Sequence, residues 1–208
     1  MREPSAHAVP MTHRSRCLVL IGPSGAGKSS VLRRLDRLRM VVVQPTWTTR
    51  PRRPEERNGS PEHRFVSDRE FDELLRAGWF SQTGAIAGLP HRYGVPALAP
   101  RDSGPVDGLI LRAPYVEPFA RLVPGTVVYQ IQGGAHETLR RLRARDAGTR
   151  ELGPRVADNS TETSTGRTAA DRSFANDGTL GDLVDSVVQA MTIDFPGRSG
   201  SALIPVAS

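Results

Sequence analysis

Apolar positions along this chain fall into two rhythms. Cys17 to Ile21 is an unbroken apolar run of strand length. The segment from Ser29 to Arg39 then spaces Val31, Leu32, Leu35 and Leu38 at helical intervals. Met40 to Gln44 is β-branched and predicts a second strand. Phe65-Val66, then Phe71 and Leu74-Leu75, predict a short strand followed by a helix over 68–77. Trp79 to Tyr93, interrupted by Gly84, Gly88 and Pro90, reads as short strands and turns. Val106 to Leu111 and Thr126 to Ile131 are further strands, and His136 to Arg145 is a helix carrying four arginines. Ala147 to Arg172 is poor in apolar residues and is expected to be a mobile loop. Leu183, Val184, Val187, Val188 and Met191 mark a closing helix. Residues 1–14 are expected to be a flexible arm and 193–208 a loose tail. Strands alternating with helices imply an α/β fold, a parallel sheet flanked by helices.

Composition narrows this only a little. A chain of 208 residues is of single-domain size and can bury a core. Its one cysteine, Cys17, excludes an intrachain disulfide and sits in an apolar strand, where packing is expected rather than reactivity. No apolar run reaches the ~18 residues that span a bilayer, and the first 16 residues lack the apolar stretch of a signal peptide, so a cytoplasmic location is expected. A net charge of +6 raises nucleic acid as a partner, but the basic residues are spread from Arg2 to Arg198, interleaved with acids and poorly supplied with aromatic neighbours for base stacking. No nucleic-acid partner is expected.

The distribution of basic residues says more than their number. Of the 28 Lys and Arg, only Lys28 is a lysine, and it stands in Gly22-Pro23-Ser24-Gly25-Ala26-Gly27-Lys28-Ser29-Ser30, which fits the phosphate-loop pattern G-x-x-x-x-G-K-[ST]. Glycines let successive backbone N–H groups turn toward phosphate oxygens, and lysine sets a compact ammonium against them. The Ser29 hydroxyl is the candidate Mg²⁺ ligand. Strand, glycine loop and helix in that order are the context the motif requires. ATP and Mg²⁺ are therefore the expected cofactors.

A second motif, Thr48-Thr49-Arg50-Pro51-Arg52-Arg53-Pro54-Glu55-Glu56-Arg57-Asn58-Gly59, follows the second strand. Arginine forks pair bidentately with phosphate oxygens, so this segment beside a phosphate loop suits a second phosphorylated substrate. With Phe65-Val66-Ser67, Gly78-Trp79-Phe80 and Tyr93-Gly94 it resembles the guanylate kinase family from about residue 17 to 96, and more faintly over 139–155 and 174–188. The resemblance implies a P-loop kinase domain over 15–192, with an acceptor-binding part at 46–96 and a lid at 137–158. It implies that Arg50 and Arg53 grip the acceptor phosphate with Tyr93, that Thr46 lies near the base, and that Glu56 belongs to the R-P-x-E-x-x-G stretch. Arg141, Arg145 and Arg155 match lid arginines that act with Lys28 on the transferring phosphoryl group.

The departures bear on the acceptor. His63 stands where guanylate kinases have a tyrosine, Gln82 to Gly88 holds no acid, Val95 replaces a hydroxyl residue, and Leu109 to Ala113 replaces an acidic strand. This combination is similar to the ribose 1,5-bisphosphate phosphokinases of phosphonate breakdown, as are Ala87-Gly88-Leu89 and Asn176-Asp177-Gly178-Thr179-Leu180. The expected function is thus phosphoryl transfer from ATP to a small phosphorylated acceptor, with ribose 1,5-bisphosphate favoured and giving 5-phosphoribosyl 1-diphosphate. The alternatives are GMP as acceptor, or a guanylate kinase-like binding module without turnover. The oligomeric state is left open.

Overall fold

The computed structural model describes residues 16–98, 104–146 and 152–196. Five strands form a wholly parallel sheet: β1 (Cys17–Ile21), β2 (Val41–Val43), β7 (Val106–Ile110), β8 (Thr126–Gly133) and β9 (Arg172–Asn176), in the order β2-β7-β1-β8-β9. β1 lies in the middle and is buried on both faces, which is why its five residues read as one apolar run. Leu18 and Leu20 pack with Val31, Leu32 and Leu35 of α1 (Lys28–Arg37) and with Leu183, Val187 and Met191 of α6 (Leu180–Asp194). Cys17, Val19 and Ile21 face the other way, toward Val116 and Phe119 of α3 (Val116–Leu122). Burial, and then the nearby Asp107 carboxylate, push the Cys17 thiol up to about 12, so it packs as an apolar side chain.

A second sheet of four strands, β4-β3-β6-β5, is built from β3 (Thr46–Thr48), β4 (His63–Phe65), β5 (Phe80–Ala85) and β6 (Arg92–Pro96). Pairing is parallel between β3 and β4 and antiparallel elsewhere. Trp47 and Phe80 pack edge to face behind it, and Phe80 stacks on Phe71 of α2 (Asp68–Arg76). Ser67 caps α2 by accepting from the Glu70 N–H, with the Glu70 carboxylate accepting in return from the Ser67 N–H.

Two expectations fail. The mobile loop over 147–172 is instead the 18-residue helix α5 (Leu152–Ala169), running into β9. With α4 (Ala135–Asp146) it extends the helical region well past residue 158, although 147–151 lie outside the described residues. α5 has no apolar periodicity because the face it buries is polar: Arg155, Glu162 and Gly166 are its buried residues. Nor does the tail begin at 193. α6 runs to Asp194, whose carboxylate accepts from Arg172 and from the Tyr129 hydroxyl, and Phe195 is buried. The arm at 1–14 and the tail from 197 lie outside the described residues.

α5 seats on β8 through Gly166, where a Cβ would stand 2.2 Å from Nε2 of the fully buried Gln130, itself bonded to the Thr163 carbonyl. Gly166→Val is therefore expected to lower stability by about 1–3 kcal/mol. Gly153→Ala, on the same helix with open space around it, should leave stability unchanged or raise it by up to about 1 kcal/mol. Urea unfolding of both variants separates a packed helix from a loop, since a loop would tolerate both.

Candidate active site

β1 turns into the phosphate loop at Gly22, whose φ is 129° and whose added Cβ would stand 2.2 Å from the carbonyl oxygen of Ile131 on β8. Gly27, at φ 103°, opens α1 without any side-chain cap, leaving the first N–H groups of the helix unclaimed by a capping residue. The Lys28 ammonium donates to the carbonyls of Gly22 at 2.6 Å and Pro23 at 2.9 Å, folding back over the loop. Asn176, at the end of β9, donates to the Ala26 carbonyl.

The second motif is held by an ion pair. Arg50 is 3% exposed and donates through both terminal nitrogens to Glu56, at 2.6 and 2.5 Å. The Glu56 carboxylate also accepts from the Arg53 N–H. Burial opposes ionisation of Glu56, but these donors outweigh it and bring the carboxyl down to about 2. Next to the pair, His63 Nδ1 is 2.9 Å from the Thr46 hydroxyl. Burial, reinforced by the Arg50 charge, lowers His63 to about 3, so it is neutral. A further ion pair ties the phosphate-loop helix to this region: Arg33 on α1 meets Glu62, whose side chain also accepts from Ser60.

All of this opens on one cavity of about 580 Å³. It is lined by Gly22, Ser24, Gly25, Gly27, Lys28, Ser29 and Ser30 on the phosphate side, and by Thr46, Arg50, Arg53, Glu56, His63 and Tyr93 on the second-sheet side. Arg141 and Arg155 line it from α4 and α5. Pro23 and Ala26 do not line it, Ala26 being fully buried beneath the loop. The side chain of Arg145 lies outside the described residues. Arg141 is steadied by Glu137 one turn earlier, at 2.7 Å.

Several residues at or beside the cavity were given no role in the sequence reading. Arg112, just after β7, binds the Asp158 carboxylate, donates to the Ala85 carbonyl at 2.8 Å and places Nε 3.2 Å from Glu162. Glu162 accepts from the Ala113 N–H, and its carboxyl is pushed up by burial against the pull of Lys28, Ala113 and Arg112. Asn159 accepts from the Ser24 N–H at 2.7 Å and donates to the Ser24 carbonyl, so α5 grips the phosphate loop directly. The signal that could have found them is polar: Arg155, Asp158, Asn159, Glu162 and Gly166 fall on one helical face at spacings of three, four and seven. Arg112, in the Leu109–Ala113 stretch that replaces an acidic strand, is thus a cation whose counterions come from α5.

Among known proteins, the family model described as guanylate kinase matches residues 14–91. A guanylate kinase of Nocardia farcinica is 40% identical over 96 residues, which is 46% of this chain and 49% of that one. The guanylate kinase of Thermobifida fusca is 45% identical over 82 residues, 39% of this chain and 40% of that one. The guanylate kinase of Thermotoga maritima is 38% identical over 82 residues, 39% and 38% of the two chains. In sequence the chain thus spans about half or less of the length of these relatives. In three dimensions it superposes on the crystal structure of guanylate kinase from Anaplasma phagocytophilum with a TM-score of 0.65 over 88% of this chain and 87% of that one, at 21% identity. The fold is therefore guanylate kinase-like, an α/β P-loop architecture, along nearly the whole chain. These findings overturn ribose 1,5-bisphosphate as the favoured acceptor: the relatives at 38–45% identity are named guanylate kinase. That expectation treated a missing carboxylate as a missing base pocket, whereas Thr46, His63, Gln82 and Val95 all still line the cavity.

The neutral His63 has a measurable consequence. Its ordinary value is 6.5 and its folded value about 3, so between these the unfolded chain holds the extra proton. Stability should fall as pH falls through this window, with His63 contributing a slope of up to about 1.4 kcal/mol per pH unit. From pH 6.5 to 5, above the ordinary 4.5 of glutamate, Glu56 adds little. His63→Gln should flatten the denaturant-measured stability profile in that interval.

Proposed function

We propose that this chain, guanylate kinase-like in fold over 88% of its length and in sequence over residues 14–91, is an ATP-dependent kinase that phosphorylates GMP to GDP. The observation that carries the reading is the single cavity lined by both the phosphate loop and the Arg50–Arg53–Tyr93 cluster. A site of that shape holds two phosphorylated molecules end to end, and alignment of donor and acceptor supplies most of the catalysis in phosphoryl transfer.

In this reading the N–H groups of Gly27, Lys28 and Ser29 at the start of α1 cradle the donor phosphates, and Lys28 leaves the loop carbonyls for the phosphate oxygens. Arg53 and Tyr93 hold the acceptor phosphate with Arg50, whose orientation is fixed by Glu56. Arg141 and Arg155 stabilise charge on the group in flight, with Arg145 on the same helix as Arg141. The acceptor-binding part corresponds to the second sheet, 46–96, and the lid to the α4–α5 region. Among the described residues no three His, Cys, Asp or Glu cluster as a cation cage. The donor set fits Mg²⁺ all the same, because that ion keeps several waters and needs few protein ligands. Ser29 would hold it, with Asp158 and Glu162 lining the same cavity. Bound there, the ion neutralises charge on the donor phosphates. Among the described residues no helix is long and apolar enough to cross a membrane.

Formation of ADP from ATP and GMP by the purified chain is the direct test. Lys28→Ala should remove turnover while leaving the melting temperature close to the parent value, and retained turnover would refute the assignment. Arg53→Ala should weaken GMP binding about ten- to hundredfold with ATP affinity little changed, read by calorimetry with each nucleotide. Arg50→Ala is expected to behave differently. It strands the buried Glu56 carboxylate and should cost about 3–5 kcal/mol of stability as well.

A further inference from the structure

The strand registers of the second sheet align its side chains in cross-strand rows. Thr46 pairs with His63, Thr48 with Tyr93, and Gln82 with Val95. Since Trp47 pairs with Gly94, Thr46 falls opposite Val95. One row is therefore His63, Thr46, Val95, Gln82, and the next is Phe65, Thr48, Tyr93, Gly84. The second row belongs to the phosphate end: Thr48 accepts from the Arg50 N–H, and the Arg50 guanidinium lies 4.9 Å from the Phe65 ring centre. The first row, with Ile86 and Leu111, makes an apolar slot with a few neutral polar groups, the usual form of a site for a flat heterocycle.

Nothing charged in that row reads the heterocycle. His63 is neutral, and the carboxylates that line the cavity, Glu56, Asp158 and Glu162, each pair with an arginine. One polar atom stands out: Gln82 Oε1 is buried and has no hydrogen-bond partner. A buried carbonyl oxygen without a donor is costly unless a ligand supplies one.

We propose that Gln82 reads the lactam edge of a 6-oxopurine and that the site does not read the 2-amino group. This rests on the nucleotide-kinase reading above. Edge-on to a planar base, an amide presents one acceptor atom, its oxygen, beside one donor atom, its nitrogen. A 6-oxopurine presents an N1–H donor beside an O6 acceptor, and both are matched by the amide. Guanine's 2-amino group is a further donor for which the amide has no second acceptor. A carboxylate would offer two acceptors and distinguish guanine from hypoxanthine. The amide does not, so IMP is an acceptor comparable to GMP.

The test is kcat/KM of the full chain with ATP and GMP, IMP or AMP. GMP and IMP should agree within about fivefold, and AMP should be poorer than both. Gln82→Glu should raise the GMP-to-IMP ratio about tenfold or more, and Gln82→Met should lower both substrates by similar factors. A parent preference for GMP over IMP of about a hundredfold or more overturns the proposal, as does AMP being the best acceptor. So does a folded Gln82→Glu variant with an unchanged ratio. If GMP is turned over with strong selectivity, only the role of Gln82 fails. If no purine nucleotide is phosphorylated, the kinase reading fails and takes this proposal with it.

Discussion

The α-carbon of Gly22 rests against the Ile131 carbonyl so closely that a Cβ there would stand 2.2 Å away. At φ 129° that residue is also in a conformation that L side chains rarely adopt. Both conditions arise because β1, flanked by β7 and β8, must leave the centre of the sheet while its neighbours continue beside it. The chain therefore reverses within a few residues and starts α1 at Lys28. The loop's position, the aim of the helix N-terminus and the reach of the lysine all follow from that turn. The second sheet inherits its place as well, since α1 carries the Arg33 that pairs with Glu62 beside β4.

What the sequence disclosed follows the same logic. Four strands of the central sheet were legible as apolar or β-branched runs, whereas β9 with its sequence Arg-Ser-Phe-Ala-Asn was not, and α1 and α6 were legible because each buries one apolar stripe. The phosphate loop was legible as a motif, and the second-sheet cluster through Arg50, Arg53, Glu56 and Tyr93. The rest was hidden for a physical reason. β3 is three residues long within an arginine-rich segment, and its alternation of Thr46, Trp47 and Thr48 is too brief to show a period. α5 was missed because hydrophobic periodicity detects helices that bury hydrocarbon, and this one buries Arg155 and Glu162. Arg112 carried no role at the end of β7 because its partners, Asp158 and Glu162, were assigned to a loop. A buried charge pair can be recognised in sequence only when both members are known to face each other.

The acceptor side shows how a substitution can mislead when it is counted as a loss. A stretch from Gln82 to Gly88 without an acid, and Val95 in place of a hydroxyl residue, suggested a site with no base to bind. The registers put Gln82 and Val95 in one row with Thr46 and His63 on the cavity wall. The wall is intact and its polarity has changed. The neutral His63 fits its surroundings, because a protonated imidazole would be repelled by the neighbouring Arg50 guanidinium.

The seam between α5 and the rest of the protein has two textures. Near its C-terminal end, Ala169 and Ala170 pack on the apolar core behind β1. Toward the cavity, the contacts are the amide pair of Asn159 with Ser24 and the ions around Arg112. Water can replace every one of those polar contacts, whereas it cannot replace the alanine packing. Parting the cavity half of the seam would expose mainly polar surface, so it would lack the positive heat-capacity change that exposed hydrocarbon brings. Once parted, the charges of that half would stand in water and be screened, so added salt would favour the parted arrangement and leave the apolar end untouched. One helix thus combines an anchor governed by hydrophobicity with a clasp governed by salt.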